Sequence, residues 1–99
     1  MTIIWTTKGR ESLREIREYI SQYSQSRANN LIKELIEKVD ILAQNPNAGQ
    51  SAPEISHENV RGLIHENYRI LYLVDDKVYI FRVIHTRQDF KKLNIKPDV

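Results

Sequence analysis

The sequence predicts an α+β fold, in which an antiparallel pair of helices packs on one face of a mostly antiparallel, four-stranded sheet. Three observations predict it. A short apolar start leads into an amphipathic stretch of helical periodicity, a second such stretch follows closely, and strand-like segments with short turns fill the second half. The expected element order is β-α-α-β-β-β, and the 99 residues fit a single domain over residues 1–99.

The first strand is predicted over residues 2–6, where Trp5 and two β-branched isoleucines favour extended backbone. Thr7 is expected to cap the helix that follows, because its hydroxyl can accept a free N–H of the first turn. Apolar side chains then recur at helical spacing over about four turns. They are Leu13, Ile16, Ile20 and Tyr23.

A second helix is expected to begin at Ser24 or Ser26, either of which can cap it. It should end before Pro46, since a proline disfavours helical backbone in the preceding residue. Its apolar stripe is wide, with Ile36 and Ala43 at its edge. The stripe comprises Ala28, Leu31, Ile32, Leu35, Val39 and Leu42. The short link between the two amphipathic helices predicts an antiparallel hairpin.

The second half is predicted to be a loop followed by three strands. Residues 45–59 carry Pro46, Gly49, Pro53 and small polar side chains, which is typical of a loop. Strands are expected at residues 60–64, 68–74 and 77–85, joined by hairpin-length turns at 65–67 and 75–76. A short C-terminal helix is expected at residues 90–93, and Pro97 should stop it.

Composition excludes several function classes. There is no cysteine, so disulfides and thiolate chemistry are excluded, and a reducing cytoplasm suits such a chain. No apolar run approaches the roughly 18 residues of a membrane span, and the start does not have the pattern of a secretory signal. The net charge of +2 does not by itself indicate a nucleic-acid binder. The three histidines lack metal-ligand spacing and no phosphate loop or catalytic triad is present, so we predict no metal and no cofactor.

Arginines occur within the predicted strands, and strand alternation indicates where they point. If Ile70 and Tyr72 face the helices, Arg69 faces away. The last strand offers two sets, Tyr79, Phe81, Val83 and His85 or Val78, Ile80, Arg82 and Ile84, and the arginine-free set is the expected core. Arg82 then joins Arg69 on the face away from the helices, with Arg61 near them.

Such a face, apolar and bordered by arginines, suits an amphipathic protein segment or a phosphate-bearing ligand. A structural alternative stays open for each residue. Arg82 can pair with Asp75, Asp76 or Glu66 across the sheet, and a strand arginine that faces only solvent is common. For a histidine such as His85, a structural hydrogen bond is a more frequent role than proton transfer.

Taken in order, these segments resemble the RelE/ParE superfamily of bacterial toxins from type II toxin–antitoxin pairs. The likeness runs over nearly the whole chain, and it rests on the order and spacing of several short motifs. These are the Trp5 strand, Leu13–Ile20 (LREIREYI), the Ala28 helix, Leu42–Pro46 followed by Gly49, Val60-Arg61, Tyr68–Tyr72 (YRILY) and Val83–Arg87 (VIHTR).

The resemblance implies one of two activities. ParE-like members bind and inhibit DNA gyrase without chemistry of their own, and the turn at residues 45–49, Pro53-Glu54 and the ending His85-x-Arg87-x-Asp89 resemble that branch. RelE-like members are metal-independent endoribonucleases that cut mRNA on the ribosome. A member of that kind would use Arg61, Arg69, His85 and Arg87 as catalytic residues.

RelE-like members often carry a tyrosine near the C-terminus, whereas this chain ends FKKLNIKPDV and Phe90 has no hydroxyl. We therefore favour the ParE branch and leave open whether the protein is an enzyme. A non-toxic member that only binds its partner is the third alternative.

Either branch implies a small cognate antitoxin as the main partner. Its acidic residues are expected to meet Arg61, Arg69, Arg82 and Arg87, and an added strand along an open sheet edge is a known mode for such binding. Operator DNA would be reached only through the antitoxin, and no membrane is involved. The biological outcome implied is growth inhibition in the cytoplasm, with plasmid stabilisation as its use.

Overall fold

The computed structural model describes residues 1–52, 55, 57–88 and 90–99. The elements follow the predicted order with one addition, a short strand before the last three. They are β1 (Ile3–Trp5), α1 (Thr7–Ser21), α2 (Gln25–Asp40) with a 3-10 turn (Ile41–Ala43), β2 (Gln50–Ser51), β3 (Val60–His65), β4 (Tyr68–Val74), β5 (Val78–His85) and α3 (Phe90–Leu93).

Both long helices begin at hydroxyl caps. The cap of α1 is Thr6 rather than the predicted Thr7, and its side chain accepts the N–H of Gly9 at 3.1 Å. Ser24 caps α2 by accepting the N–H of Arg27 at 3.1 Å, as one of the two predictions has it. Tyr23 lies beyond the end of α1 and is 74% exposed, so its place in the predicted apolar stripe was wrong.

The helical hairpin lies on one face of the sheet. All six residues of the predicted stripe of α2 are buried, which confirms the stripe. Leu13, Ile16 and Ile20 of α1 pack against the same cluster. The helix approaches the sheet closely at Gly9, where a Cβ atom would lie 2.2 Å from the carbonyl oxygen of Ile80.

The sheet has five strands in the order β1-β5-β4-β3-β2, not the four that the sequence predicted. Strand β1 runs parallel to β5, and the other neighbours are antiparallel. The unpredicted strand β2 lies within the predicted loop and pairs Gln50 with Gly62. Its two residues are polar and exposed, so no alternation of apolar side chains could indicate it.

A bulge in β5 changes the predicted alternation of that strand. Tyr72 pairs with Ile80 and Leu71 pairs with Arg82, which leaves Phe81 as an extra residue. Val78, Ile80 and Val83 therefore share the core beneath the helices, whereas Tyr79 and Phe81 pack on the other face. The expectation that Tyr79 and Phe81 would face the helices was wrong, because one extra residue reverses the alternation.

The face away from the helices has an apolar cluster of its own. Leu71, Leu73 and Phe81 are buried there beneath residues from the segment after β2 and from the C-terminal tail. The covering residues are Ala52, Ile55, Leu93 and Ile95. The prediction that this face would be open to a partner was therefore wrong for its centre, and only its margins are free to carry charged side chains.

Candidate functional site: a groove at the open half of strand β5

A groove lies where β5 loses its outer neighbour. Strand β1 pairs with β5 only from Val78 to Ile80, so the later part of β5 faces helix α1 across a space of about 570 Å³. Ile16, Ile20 and Val83 supply apolar walls, and polar side chains surround them. The polar and aromatic lining includes Ser12, Glu15, Tyr19, Tyr68, Arg82, His85, Arg87 and Gln88.

Side chains already occupy the outward amides of this strand edge. The N–H of Val83 donates to the hydroxyl of Ser12 at 3.1 Å, and that hydroxyl donates in turn to the carbonyl of Lys8 at 2.7 Å. The N–H of His85 donates to the side-chain carbonyl of Gln88 at 2.9 Å. The edge is therefore protected from uncontrolled strand pairing, and any added strand must first displace Gln88.

The ring of His85 is held at the strand end. It lies edge-on to Tyr68 with 5.4 Å between ring centroids, and its Nδ1 accepts the backbone N–H of Arg87 at 3.1 Å. In the neutral ring the proton then sits on Nε2. This arrangement agrees with the structural role that the sequence favoured for His85.

Arg82 and Arg87 supply the positive charge of the groove. Arg82 is half-buried and Arg87 is exposed. Within the described part of the chain, neither side chain makes a hydrogen bond or ion pair, so both guanidiniums remain available. Glu15 of α1 also lines the groove, which makes it mixed in charge with a positive excess.

Arg61 lies elsewhere, on the helix side of the sheet. It pairs across β3 and β4 with Tyr72, and its Nη1 donates to the carbonyl of Gly49 at 2.7 Å. The Tyr72 hydroxyl accepts the N–H of Gly49 at 2.8 Å and donates to the carbonyl of Pro46 at 2.9 Å. Burial raises the pKa of Tyr72, which stays a neutral donor at neutral pH. Arg61 thus fastens the turn at residues 46–49, and it does not join Arg69 and Arg82 as predicted.

Arg69 lies on the face away from the helices, as the sequence predicted. It pairs with Ile84, a member of the cluster on that face. Its guanidinium covers Gly62, where a Cβ atom would lie 2.4 Å from Nε, and the residue has a further polar or ring interaction. Arg82 shares this face by its pairing with Leu71. Of the predicted site residues, Arg82, His85 and Arg87 line the groove. Arg69 extends over Gly62 on the face that it shares with Arg82, and Arg61 lies on the helix side.

The groove also contains residues that the sequence analysis did not select. Ser12 lies about one helical turn before Ile16 and Tyr19 about one turn after it, so helical periodicity could have placed both beside Ile16. Tyr68 and Gln88 had no such signal, because their position depends on the pairing of β4 with β5 and on the turn after β5. Asp89 and the dipeptide Pro53-Glu54, which the resemblance cited, lie outside the described residues.

A second polar cluster closes the turn between β3 and β4 against α2. His65 Nε2 lies 2.9 Å from Glu34 Oε1, and the three potential ligand groups of Glu34, His65 and Glu66 lie within 4.8 Å of one another. Arg27 already pairs with this cluster, at 2.7 Å from Glu66 and 3.7 Å from Glu34, and the hydrogen bond that it donates to Glu66 raises the pKa of Arg27. We interpret the cluster as an ion-pair network that anchors the turn.

Among the described residues, none of the helices combines the length and apolar character that crossing a bilayer requires.

Comparison with known proteins gives the family. Residues 3–90 match the family model described as the ParE toxin of the type II toxin–antitoxin system parDE. A search of curated proteins found no match.

Two solved structures are similar in fold. One is the chromosomal ParDE toxin–antitoxin system from P. aeruginosa, with a TM-score of 0.72, 25% sequence identity, and coverage of 86% of this chain and 95% of that chain. The other is the RelBE2 toxin–antitoxin complex from Mycobacterium tuberculosis, with a TM-score of 0.62, 24% identity, and coverage of 85% and 88% respectively.

Proposed function

We propose that this chain, which belongs to the ParE toxin family of type II toxin–antitoxin systems, inhibits DNA gyrase by binding it and is neutralised by a small cognate antitoxin. We propose that it acts in the cytoplasm, where gyrase and its DNA substrate meet. The proposal rests on the family and on one observation, namely that the residues required for the alternative activity do not converge.

Metal-free RNA cleavage needs several cations and a proton carrier around one phosphate. Here Arg61 is bound to the carbonyl of Gly49 on the helix side, and Arg69 lies over Gly62 on the other face. Only His85 and Arg87 of the four residues share a site. This separation favours a protein that acts by binding over one that cuts RNA.

The groove at β5 is the surface that we assign to protein contacts. Arg82 and Arg87 border apolar walls, an arrangement that suits an acidic, partly apolar protein segment. Both similar structures are described as toxin–antitoxin assemblies, which supports an antitoxin as one such partner. A partner that contacts Arg61 or Arg69 would compete with the local interactions that both side chains already make.

A supercoiling assay with purified gyrase tests the target. The wild-type protein should reduce supercoiling or trap cleaved DNA. Adding the small protein encoded by the adjacent gene, which we expect to be the antitoxin, should restore gyrase activity. Normal supercoiling at excess toxin, together with cuts within codons of a translated mRNA by primer extension, would instead establish the endoribonuclease alternative.

Charge reversal at Arg87 tests the groove. Arg87→Glu should weaken gyrase inhibition or antitoxin binding by about tenfold, because it places a carboxylate where the partner's acidic groups are expected. Lys77→Glu, an equal charge change at the exposed turn before β5, is the matched control and should have little effect. Equal losses in both variants would show that net charge, not the groove, governs binding.

A further inference from the structure

A histidine and two glutamates meet where helix α2 passes the turn between β3 and β4. Glu34 belongs to α2, His65 is the last residue of β3, and Glu66 follows it in the turn. His65 Nε2 lies 2.9 Å from Glu34 Oε1, and the potential ligand atoms of the three residues lie within 4.8 Å of one another. Spacing among the histidines alone gave no sign of this set, because Glu34 is 31 residues away from His65 in the chain.

The three groups form a donor set that suits a divalent transition-metal ion. Imidazole nitrogen binds zinc, nickel and copper, and carboxylate oxygens complete many sites of this kind. Zinc lies about 2.1 Å from such ligands, so two ligand atoms of one ion are at most about 4.2 Å apart. Small side-chain rotations would therefore close the observed spread, and all three side chains are partly exposed and have room to rotate.

The structure already places a positive charge against this set. Arg27 Nη2 lies 2.7 Å from Glu66 Oε2, and its Nη1 lies 3.7 Å from Glu34 Oε2. Two carboxylates thus face one guanidinium, which leaves one negative charge uncompensated when the imidazole of His65 is neutral. A divalent ion would match both carboxylates, and it would also use the lone pair of the imidazole.

We infer that Glu34, His65 and Glu66 bind a divalent transition-metal ion, and that Arg27 leaves the cluster when the ion binds. His65 then carries its ring proton on Nδ1, because Nε2 donates its lone pair to the ion. Arg27 can move into solvent, since its side chain is 47% exposed. Three protein ligands leave a coordination position for water. The ion joins α2 to the turn, as the ion pairs of Arg27 do without it.

The turn that carries two of the ligands also contacts the end of β5. The N–H of Thr86 donates to the carbonyl of Asn67 at 2.8 Å, and the ring of Tyr68 lies edge-on to that of His85. A bound ion that orders the turn should therefore slow hydrogen exchange at the Thr86 amide. This readout reports on the turn itself, and it differs from the effect of an ion held loosely by surface carboxylates.

The test measures zinc binding to the full, untagged chain by calorimetry, after a chelator has removed metal. His65→Gln should weaken binding by at least about tenfold, because it removes the nitrogen ligand. His57→Gln, at an exposed histidine outside the cluster, is the matched control and should change the Kd by less than about twofold. Arg27→Gln should strengthen binding by about tenfold, because no guanidinium then competes for the carboxylates. Arg14→Gln, at another exposed arginine, should leave the Kd unchanged.

Two further measurements support the site if they agree. Cobalt(II) should give an absorption spectrum of nitrogen and oxygen coordination in the wild-type chain that His65→Gln loses and His57→Gln keeps. Zinc should raise the Tm of the same two proteins in the same pattern, because an ion that binds only the folded state stabilises it. If His65→Gln does not fold by circular dichroism, Glu66→Gln at an exposed position replaces it, with a loss of binding expected again.

The opposite results overturn the inference. Weaker zinc binding in Arg27→Gln would show that the guanidinium supports the site instead of competing for it. Equal losses in the two histidine variants, or a Kd that none of the variants changes, would indicate an adventitious ion only. Failure of the wild-type chain to bind either zinc or cobalt would leave the cluster as an ion-pair network alone.

Discussion

The two halves of strand β5 have the same neighbour on one side and different neighbours on the other. Residues 78–80 lie between β4 and β1, and Val78 and Ile80 are fully buried. Within the described part of the chain, residues 82–85 pair with β4 alone, and they meet α1 through the hydroxyl of Ser12. The first half therefore supplies core, whereas the second half supplies a groove that carries Arg82 and His85.

This difference explains how a small domain can place cations within strands. Where β5 lies between two strands, apolar packing uses both of its faces. At its open edge, polar side-chain atoms can reach solvent. The bulge at Phe81 lies at the boundary between the halves. It sends Phe81 into the cluster on the far face and lets Val83 return to the helix side.

Truncating Phe81, at the boundary between the two halves of β5, should have the largest effect on stability. Phe81→Ala is expected to lower the free energy of unfolding by about 3–5 kcal/mol, because a fully buried aromatic ring is lost from the far-face cluster. Urea denaturation measures the loss. Tyr79→Ala, on the same face but partly exposed, should cost clearly less, and equal costs would remove the special position of Phe81.

Breaking the contact between the open half and α1 should have an intermediate effect. Ser12→Ala leaves the buried N–H of Val83 without its acceptor and should cost about 1–3 kcal/mol. Hydrogen exchange at the Val83 amide should accelerate as well. Ser26→Ala, on the exposed surface of α2, serves as the control, and an unchanged Val83 exchange rate would show that the bond contributes nothing.

Loss of the Asp98 carboxylate in the C-terminal tail should have the smallest effect on stability, and that effect should depend on pH. The tail lies beside the half of β5 that pairs with β1. Partial burial opposes ionisation of Asp98, but hydrogen bonds from the Thr6 hydroxyl and from the backbone N–H of Lys8 outweigh it, so the pKa of Asp98 is lowered. Because the folded-state pKa lies below the unfolded value, this stabilisation is present at neutral pH and disappears as the pH falls through the folded-state pKa.

Asp98→Asn should therefore cost less than about 1 kcal/mol at pH 7, since the residue is partly exposed. The difference from wild type should shrink as the pH falls below about 4. Thermal melts across this range measure it, with Asp40→Asn at the exposed end of α2 as the control. A difference that does not depend on pH would show that packing of the tail, not the charge, matters.

The sequence determined the helices, three long strands and the helix-side core. Apolar periodicity and hydroxyl caps are local signals. For this reason, most of the predicted first and last residues of α1, α2, β3, β4 and β5 lie within one residue of those in the structure. The sequence also placed His85 and Arg87 together at the end of β5, because they are two residues apart in the chain.

Only the tertiary structure decided the faces and the neighbours. The position of a bulge depends on how β5 pairs with β4, and one extra residue reverses which side chains reach the core. The face of Arg61 depends in the same way on its pairing with Tyr72. The cover of the far face comes from Ile55 and Ile95, which stand in segments without periodicity, and so no local pattern could indicate that they would meet.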